Sequence, residues 1–395
     1  MHPSLEQPLH WAWAEESDFT AFRGALRDIG YSPERVATEL GLPKVDDLYP
    51  LDYRLLPALV ERLEQQPGHL AVAITSLLLG LPVPADKLRE ALKPDSVDLL
   101  QRCGLAVETS GTIHAFLSVV PFENVLVVAD KLFMNADPDH IPEGLSSENA
   151  VWRLDKTTRI MARALPGATW TNALELCCGS GVLSFLAGQH AKDVTGTDIN
   201  PRAVNVAQFN ARLNGSANSR FLVSDLDAAL DDARFGLVLM NPPSAPGLVR
   251  SWNREGGSSG REVVEAGIAA ARQRLADRGL FLTSLHLGYQ SDQDIHDWAE
   301  LHFPRGEYKV AVVRHGESWS AEEYALNEAL RKSGPRDFET YRRTYRMYRS
   351  GLERHGIGRV AFAVLAARRG GSGVAFNTAD LYGTGWEQDI AVLAR

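Results

Sequence analysis

The sequence predicts an α/β chain built on a doubly wound parallel sheet, preceded by a mostly helical N-terminal region. Three observations predict it. Between Asn172 and Leu287, strand-like apolar runs alternate with helical ones. Those runs are nearly continuous in Val, Ile and Leu, as strands covered on both faces are. Gly, Asp and Asn cluster where the runs stop, and parallel sheets receive ligands at those carboxyl ends.

The elements follow in order. "ALELCC" is a strand, Gly179-Ser180-Gly181 a turn, and "GVLSFLAGQH" a helix. "DVTGTDIN" is a second strand that ends in Asp198. "PRAVNVAQFNARLNG" places Pro at a first turn and Asn-Gly at its close, both helix signals. "SRFLVSDL" ends in Asp225, and "FGLVLMNPPS" ends in Asn241-Pro242-Pro243. "GREVVEAGIAAARQRLADRG" reads as a helix stopped by Gly279, and "LFLTSLHL" as the fifth strand. After "EYKVAVVRHG" a helical insertion, about 316–356, precedes "RVAFAVLAARR", expected as a last antiparallel strand.

Upstream, "DFTAFRGALRDIG", "SPERVATEL" and "YRLLPALVERL" read as helices. "PADKLREAL", "PDSVDLLQRCG" and "LAVETSGTIHAFLSVVPFENVLVVAD" predict helix, turn, helix and one β-hairpin, a winged-helix-like order. The expected division is 1–130 for this domain, 131–165 for a bridge or cap, and 166–395 for the sheet domain.

Bulk properties exclude several classes. A chain of 395 residues, 45% apolar and 23% charged, has the composition of ordinary globular domains. The net charge of −9 supplies no global field for nucleic acid. The candidate recognition helix "PDSVDLLQRCG" is itself acidic, so specific duplex-DNA binding is not expected. The N-terminus carries no basic-then-apolar leader. "LAVAITSLLLGLPVPA" is broken by Gly80 and Pro82 and reads as a buried helix, so no membrane partner is expected. Three cysteines, two of them adjacent, fit a reduced, cytoplasmic setting. Cys177 and Cys178 lack the ligand spacing of a zinc site and read as small residues closing a strand; no metal is expected.

The strand ends suggest a nucleoside. The glycine turn lets a ligand lie against backbone. No Lys follows it, as a P-loop requires, and no third Gly completes a dinucleotide fingerprint. Asp198 can accept both hydroxyls of a ribose, and Asp225 a hydrogen bond from an adenine amino group.

"ELCCGSG", "GTDINPRAV", "SDL" and "LVLMNPPS" resemble the ordered motifs of class I S-adenosylmethionine-dependent methyltransferases, whose sheet is Rossmann-like. The Asn-Pro-Pro element is similar to that of the amino-methylating branch, which includes glutamine-N5 and nucleobase N-methyltransferases. The resemblance implies S-adenosylmethionine as cofactor. It implies that Glu175, Gly179 and Gly181 contact the methionine part, Asp198 the ribose and Asp225 the adenine. Cys177, Ile199, Leu226 and Asn241 complete the cofactor set. Asn241 and Pro242 would hold the acceptor nitrogen and act as the catalytic pair. Ser244 stands where that family usually has an aromatic residue to stack on a planar acceptor, which permits a smaller or non-planar one.

The expected activity is N-methylation of an amino, amide or guanidino nitrogen, with a small molecule or amino acid as acceptor. The alternatives are a protein glutamine, an RNA base, or transfer or cyclisation of the aminocarboxypropyl arm with release of methylthioadenosine. Phe133, Asn135, Trp152 and Ser244 are candidate substrate-lining residues. In the insertion, Phe338, Tyr341, Tyr345 and Tyr348 share a helix face, beside a stripe of Arg342, Arg346 and Arg349. That pattern fits an amphipathic helix with a solvated basic side, or a wall that receives an anion.

Overall fold

The computed structural model describes residues 9–44, 55–131, 133, 137, 139, 145, 150, 151, 154, 156–248, 253–333 and 337–394. In chain order its elements are α1 (Glu16–Asp28), α2 (Pro33–Leu40), α3 (Leu56–Gln65) and α4 (His69–Ala73), which continues as a π-helical turn, Ile74–Leu78. Next come β1 (Val83–Pro84), α5 (Ala85–Leu92), α6 (Pro94–Arg102), β2 (Ala106–Thr109), β3 (Thr112–Ala115), β4 (Leu117–Phe122) and β5 (Val125–Asp130). They are followed by α7 (Lys156–Ala164), β6 (Trp170–Leu176), α8 (Val182–Ala187), β7 (Ala191–Asp198), α9 (Pro201–Asn214), β8 (Ser219–Val223) and β9 (Phe235–Met240). The chain closes with α10 (Glu262–Arg274), β10 (Leu275–Tyr289), α11 (Asp292–His302), β11 (Tyr308–Ser320), α12 (Ala321–Ser333), α13 (Phe338–Arg354), β12 (Arg359–Arg369), β13 (Gly373–Ala379) and α14 (Glu387–Ala394).

Contacts divide the chain into two compact units. The first joins Met1–Lys156 to Cys178–Phe185 and Asn200–Val223. The second comprises Thr157–Cys177, Leu186–Ile199 and Ser224–Arg395.

In the first unit, β1, β3 and β2 form a small antiparallel sheet in that order, with α5 and α6 between β1 and β2 in the chain. The run after α6 makes two hairpins, not the one expected from the sequence: β2–β3 and a separate pair, β4–β5. Each has its own tight turn, at Ser110-Gly111 and at Glu123, where positive φ reverses the chain. The predicted apolar helix is present and buried, as α4 with its π-turn. The N-terminus of α9 is capped by Asn200, whose side chain accepts from Arg202 N at 3.0 Å, with Pro201 at the first helical position. Asparagines on α9 then replace missing sheet partners. Asn210 Oδ1 accepts from Val128 N and Asn214 Oδ1 from Leu126 N, both at 2.8 Å. Asn205 Oδ1 accepts from Leu9 N at 3.1 Å, and buried Arg202 pairs with both oxygens of Asp130.

In the second unit, seven strands lie in the order β13-β11-β12-β10-β9-β6-β7. β6 is parallel to both β7 and β9, and β10 is parallel to β9. This is the expected α/β sheet with parallel strands at its centre. β12 runs antiparallel between β10 and β11. Two expectations are corrected. Helix α10 stops at Arg274, not at Gly279, because Leu275 already pairs with Phe235. The register then shifts between Leu275 and Leu280, and Arg278 takes a positive φ at that irregularity. Nor is β12 the last strand, since β13 follows and pairs parallel to β11. Leu174, Val238, Met240, Phe281, Leu285, Val310 and Val312 join the side chains of α10 and α11 in one core. A smaller cluster packs α12 against α13 through Tyr324, Ala325, Tyr348 and Leu352. Among the described residues, no helix is long and apolar enough to cross a membrane.

Candidate functional site

Three strand ends of the second unit are level with one another. Leu176 on β6 is the register partner of Thr197 on β7 and of Met240 on β9. Cys177, Asp198 and Asn241 are the next residues on the three strands, so one row of the parallel sheet delivers all three. Glu175, one step back, is 2% exposed, and Asp198 is 8% exposed. Ser224 N donates to Asp198 O at 2.9 Å, which starts the segment carrying Asp225 and Leu226 beside that end. Asp225 is exposed, as is Ile199.

The backbone here is strained where a ligand would need it open. Cys177 has φ of +58° and Leu226 of +49°. Left-handed non-glycine residues cost on the order of 1–3 kcal/mol each and concentrate at ligand sites. In the first unit, Gly179 and Gly181 continue the turn with φ of +53° and +81°. A Cβ on Gly181 would lie 2.9–3.0 Å from the rings of Phe221 and Phe185, so this position excludes a side chain. A Cβ on Gly179 would meet nothing within 4 Å, so open space borders that peptide. Short acids at strand ends and an uncovered glycine peptide suit a ribose and a zwitterionic amino-acid arm. The residues present fit S-adenosylmethionine.

Asn241 is half-buried and held by two hydroxyls. Ser284, from β10, donates to Asn241 Oδ1. Asn241 Nδ2 lies 3.3 Å from Thr157 Oγ1 on α7. Thr157 Oγ1 also stands 3.4 Å from Oδ1, so Oδ1, which accepts from Ser284, keeps a lone pair for an incoming N–H when the Thr157 hydroxyl is turned to accept from Nδ2 rather than to donate. Pro242 is buried beside it. Neither Thr157 nor Ser284 was singled out from the sequence. A serine in the apolar run "LFLTSLHL" was the available signal for one, and none marked the other.

Ser244 is buried rather than lining open space. Its hydroxyl accepts from His286 N at 3.0 Å and lies 3.2 Å from His286 Nδ1. Burial, with the nearby Arg254 charge, pushes His286 down to about 4, so its ring is neutral at pH 7. Phe133 is 1% exposed. Asn135 and Trp152 lie outside the described residues.

The loop leaving Asn-Pro-Pro is clamped against residues 254–260. Ala245 N donates to Arg254 O at 3.0 Å, and Gly247 N to Gly257 O at 2.9 Å. A Cβ on Gly256 would lie 2.5 Å from Pro243 O, and one on Gly260 2.4 Å from Ser244 O, so backbone packs on backbone. The insertion holds this layer from above. Tyr324 donates to Pro246 O at 2.9 Å. Arg254 donates to both oxygens of Glu328, which is 5% exposed. Arg331 reaches Glu328 and Glu255, and Lys332 lies 2.8 Å from Glu255. Burial opposes ionisation of Glu328, but the Arg254 and Arg331 bonds win and hold it below the usual carboxylate range.

Cys177 is half-buried and Cys178 and Cys103 are buried, none of them in a disulfide. Burial pushes Cys103 up to about 12, which keeps it unreactive. Among the described residues, no group of three His, Cys, Asp or Glu could hold a metal ion.

Residues 145–309 match the family model described as "Methyltransferase small domain". Over this segment the parallel strand order agrees with the class I fold of S-adenosylmethionine-dependent methyltransferases. Among curated relatives, the chain is 35% identical over 85 residues to an uncharacterized RNA methyltransferase of Gloeobacter violaceus, covering 22% of this chain and 19% of that one. It is 31% identical over 177 residues to the ribosomal protein L11 methyltransferase of Cupriavidus pinatubonensis, covering 44% and 56%. It is 39% identical over 75 residues to the release factor glutamine methyltransferase of Fusobacterium nucleatum, covering 18% and 21%. The chain thus spans between about a fifth and just over half of these relatives' lengths.

Proposed function

We propose that the protein transfers the methyl group of S-adenosylmethionine to a nitrogen of a macromolecular acceptor, an RNA base or a protein amide. The observation that carries this is the register of Leu176 with Met240, which puts Asn241-Pro242 one step past the strand end that opens the glycine turn. When bound, the cofactor's sulfonium supplies an electrophilic methyl that needs alignment more than activation. Glu175, Cys177, Gly179, Gly181, Asp198, Ile199, Asp225 and Leu226 are the proposed cofactor residues. Asn241 Oδ1, oriented by Ser284 and Thr157, and the Pro242 carbonyl accept the two N–H bonds of the acceptor. That turns its lone pair toward the methyl group and fixes a near-attack geometry.

The macromolecular acceptor replaces the small molecule as our preferred reading. Relatives named for RNA, for ribosomal protein L11 and for a release-factor glutamine support it. Ser244 gives no stacking surface, because it is buried and engaged with His286, so any stacking group lies elsewhere. Incubating the protein with methyl-labelled cofactor and fractionated cell extract tests the reading. Label in RNA or protein, with S-adenosylhomocysteine as coproduct, is the expected result. Label confined to small molecules returns the acceptor to an amine or amino acid, and methylthioadenosine as coproduct contradicts methyl transfer.

A further inference from the structure

Helix α13 and the loop after Asn-Pro-Pro enclose a cavity of about 520 Å³ within the second unit. Pro246, Gly247 and Leu248 form one wall; Arg346, Tyr348 and Arg354 stand on the other. That volume is in the range of ligand pockets, about 300–1,000 Å³, which suits a nucleotide-sized group and excludes a duplex. Ser258 also lines it, with its hydroxyl 2.9 Å from His355 Nε2.

Four of the five arginines of α13 sort into two sets. Arg342 pairs with Glu339, and Arg349 with Glu353. Arg346 has no carboxylate partner among the described residues, and Arg354 spends one N–H on Ser350 O, 3.3 Å away. These two face the cavity. Arg346, Ser350 and Arg354 recur at i, i+4 and i+8 along α13, and all three line the cavity. Met347 on the cavity rim is 50% exposed, and Phe338 at the helix start 65%. A chain of net charge −9 therefore carries a local cationic, partly apolar cleft whose near wall begins three residues after Pro243. The helix lies outside residues 145–309, so the matched small domain supplies only the loop side of the cleft, Pro246–Leu248 and Ser258.

We infer that this cleft anchors the acceptor by its phosphodiester backbone, and that the acceptor is a single-stranded RNA segment. The inference rests on the methyltransferase reading for its purpose but not for its geometry. Two guanidinium groups with unspent donors match phosphate oxygens. The exposed Met347 side chain beside them offers an apolar surface for a base, as single-strand binders combine the two. The backbone held at Arg346 and Arg354 brings a nearby base toward Asn241 along the wall that both sites share.

The test uses the full chain and a labelled single-stranded RNA oligonucleotide, with an acidic peptide and inorganic phosphate as comparison ligands. Two double variants carry the same charge change: R346Q/R354Q removes the cleft pair, and R342Q/R349Q removes the pair already neutralised by acids. Each phosphate contact to a single strand contributes about 0.7 to the slope of log K against log salt. R346Q/R354Q is therefore expected to flatten the slope by about 1.4 and to lose about tenfold in RNA affinity, while R342Q/R349Q changes neither. Equal losses in both variants, or peptide binding without RNA binding, overturn the proposal. RNA bound through the cleft pair by a protein that binds no S-adenosylmethionine defeats the methyltransferase reading alone. Cofactor turnover with RNA binding insensitive to R346Q/R354Q defeats the cleft alone.

Discussion

At the ends of β6 and β7, functional groups are placed by main chain: a strand register, a turn of positive φ, and a backbone bond from Ser224 to Asp198. The loop that leaves β9 is clamped by main chain onto residues 254–260, and side chains of Tyr324, Glu328 and Arg331 from the insertion hold that layer in turn. The difference teaches where each kind of damage should fall. In the proposed function a residue at the first region serves the cofactor directly. A residue at the second adds to the fold and reaches the chemistry through the loop.

The comparison breaks first at Glu328. Removing it leaves Arg254 and Arg331 facing each other with one carboxylate fewer, and breaking a buried pair of this kind costs about 3–5 kcal/mol. Glu328→Ala should therefore lower the denaturation midpoint strongly. An unchanged midpoint means the insertion does not secure the loop.

A pH series sharpens the same region. The His286 ring is held near 4 by burial and the Arg254 charge, against an ordinary value near 6.5. On acidification the unfolded chain takes up this proton first. Stability from this group is complete above pH 6.5 and falls between pH 6.5 and 4, by at most about 3 kcal/mol. His286→Gln should flatten that part of the pH profile of thermal unfolding. A profile identical to the parent's removes His286 from the account.

At the first region, Asp198→Ala should weaken S-adenosylmethionine binding by about 1.5–3 kcal/mol, the value of a charged hydrogen-bond acceptor. Calorimetry showing full affinity refutes the ribose assignment. The smallest effect is expected at Ser284→Ala. It removes one hydroxyl that orients Asn241, worth about 1 kcal/mol, or roughly fivefold in turnover, with cofactor affinity kept. A lowered cofactor affinity instead would place Ser284 in the cofactor region.

The two regions also differ in how much of each was legible in the sequence. Gly179, Gly181, Asp198, Asp225 and Asn241 fall at strand ends in the sequence because a parallel sheet places its functional groups by position along the strand. Strand and helix order from "ALELCC" to "LFLTSLHL" is legible for the same reason, since period and turn residues are local. What stayed hidden depends on distant partners. Nothing within "NREGGSSGRE" announces that Gly256 and Gly260 abut Pro243 and Ser244, or that Glu255 meets Lys332. The end of α10 was misplaced because Leu275 joins β10 through pairing with Phe235, a tertiary contact, ahead of the Gly279 signal. Of the basic stripe on α13, the sequence shows five arginines, and only the contacts separate Arg346 from the paired Arg342 and Arg349.

The central claim is that Asn241 serves the acceptor nitrogen and not the cofactor. Turnover and S-adenosylmethionine affinity, measured together on Asn241→Ala, test it most directly. The account predicts turnover reduced about 100- to 1,000-fold, as loss of one preorganised polar contact brings, with cofactor affinity close to the parent's. Full turnover in Asn241→Ala, or a loss confined to cofactor affinity, contradicts it.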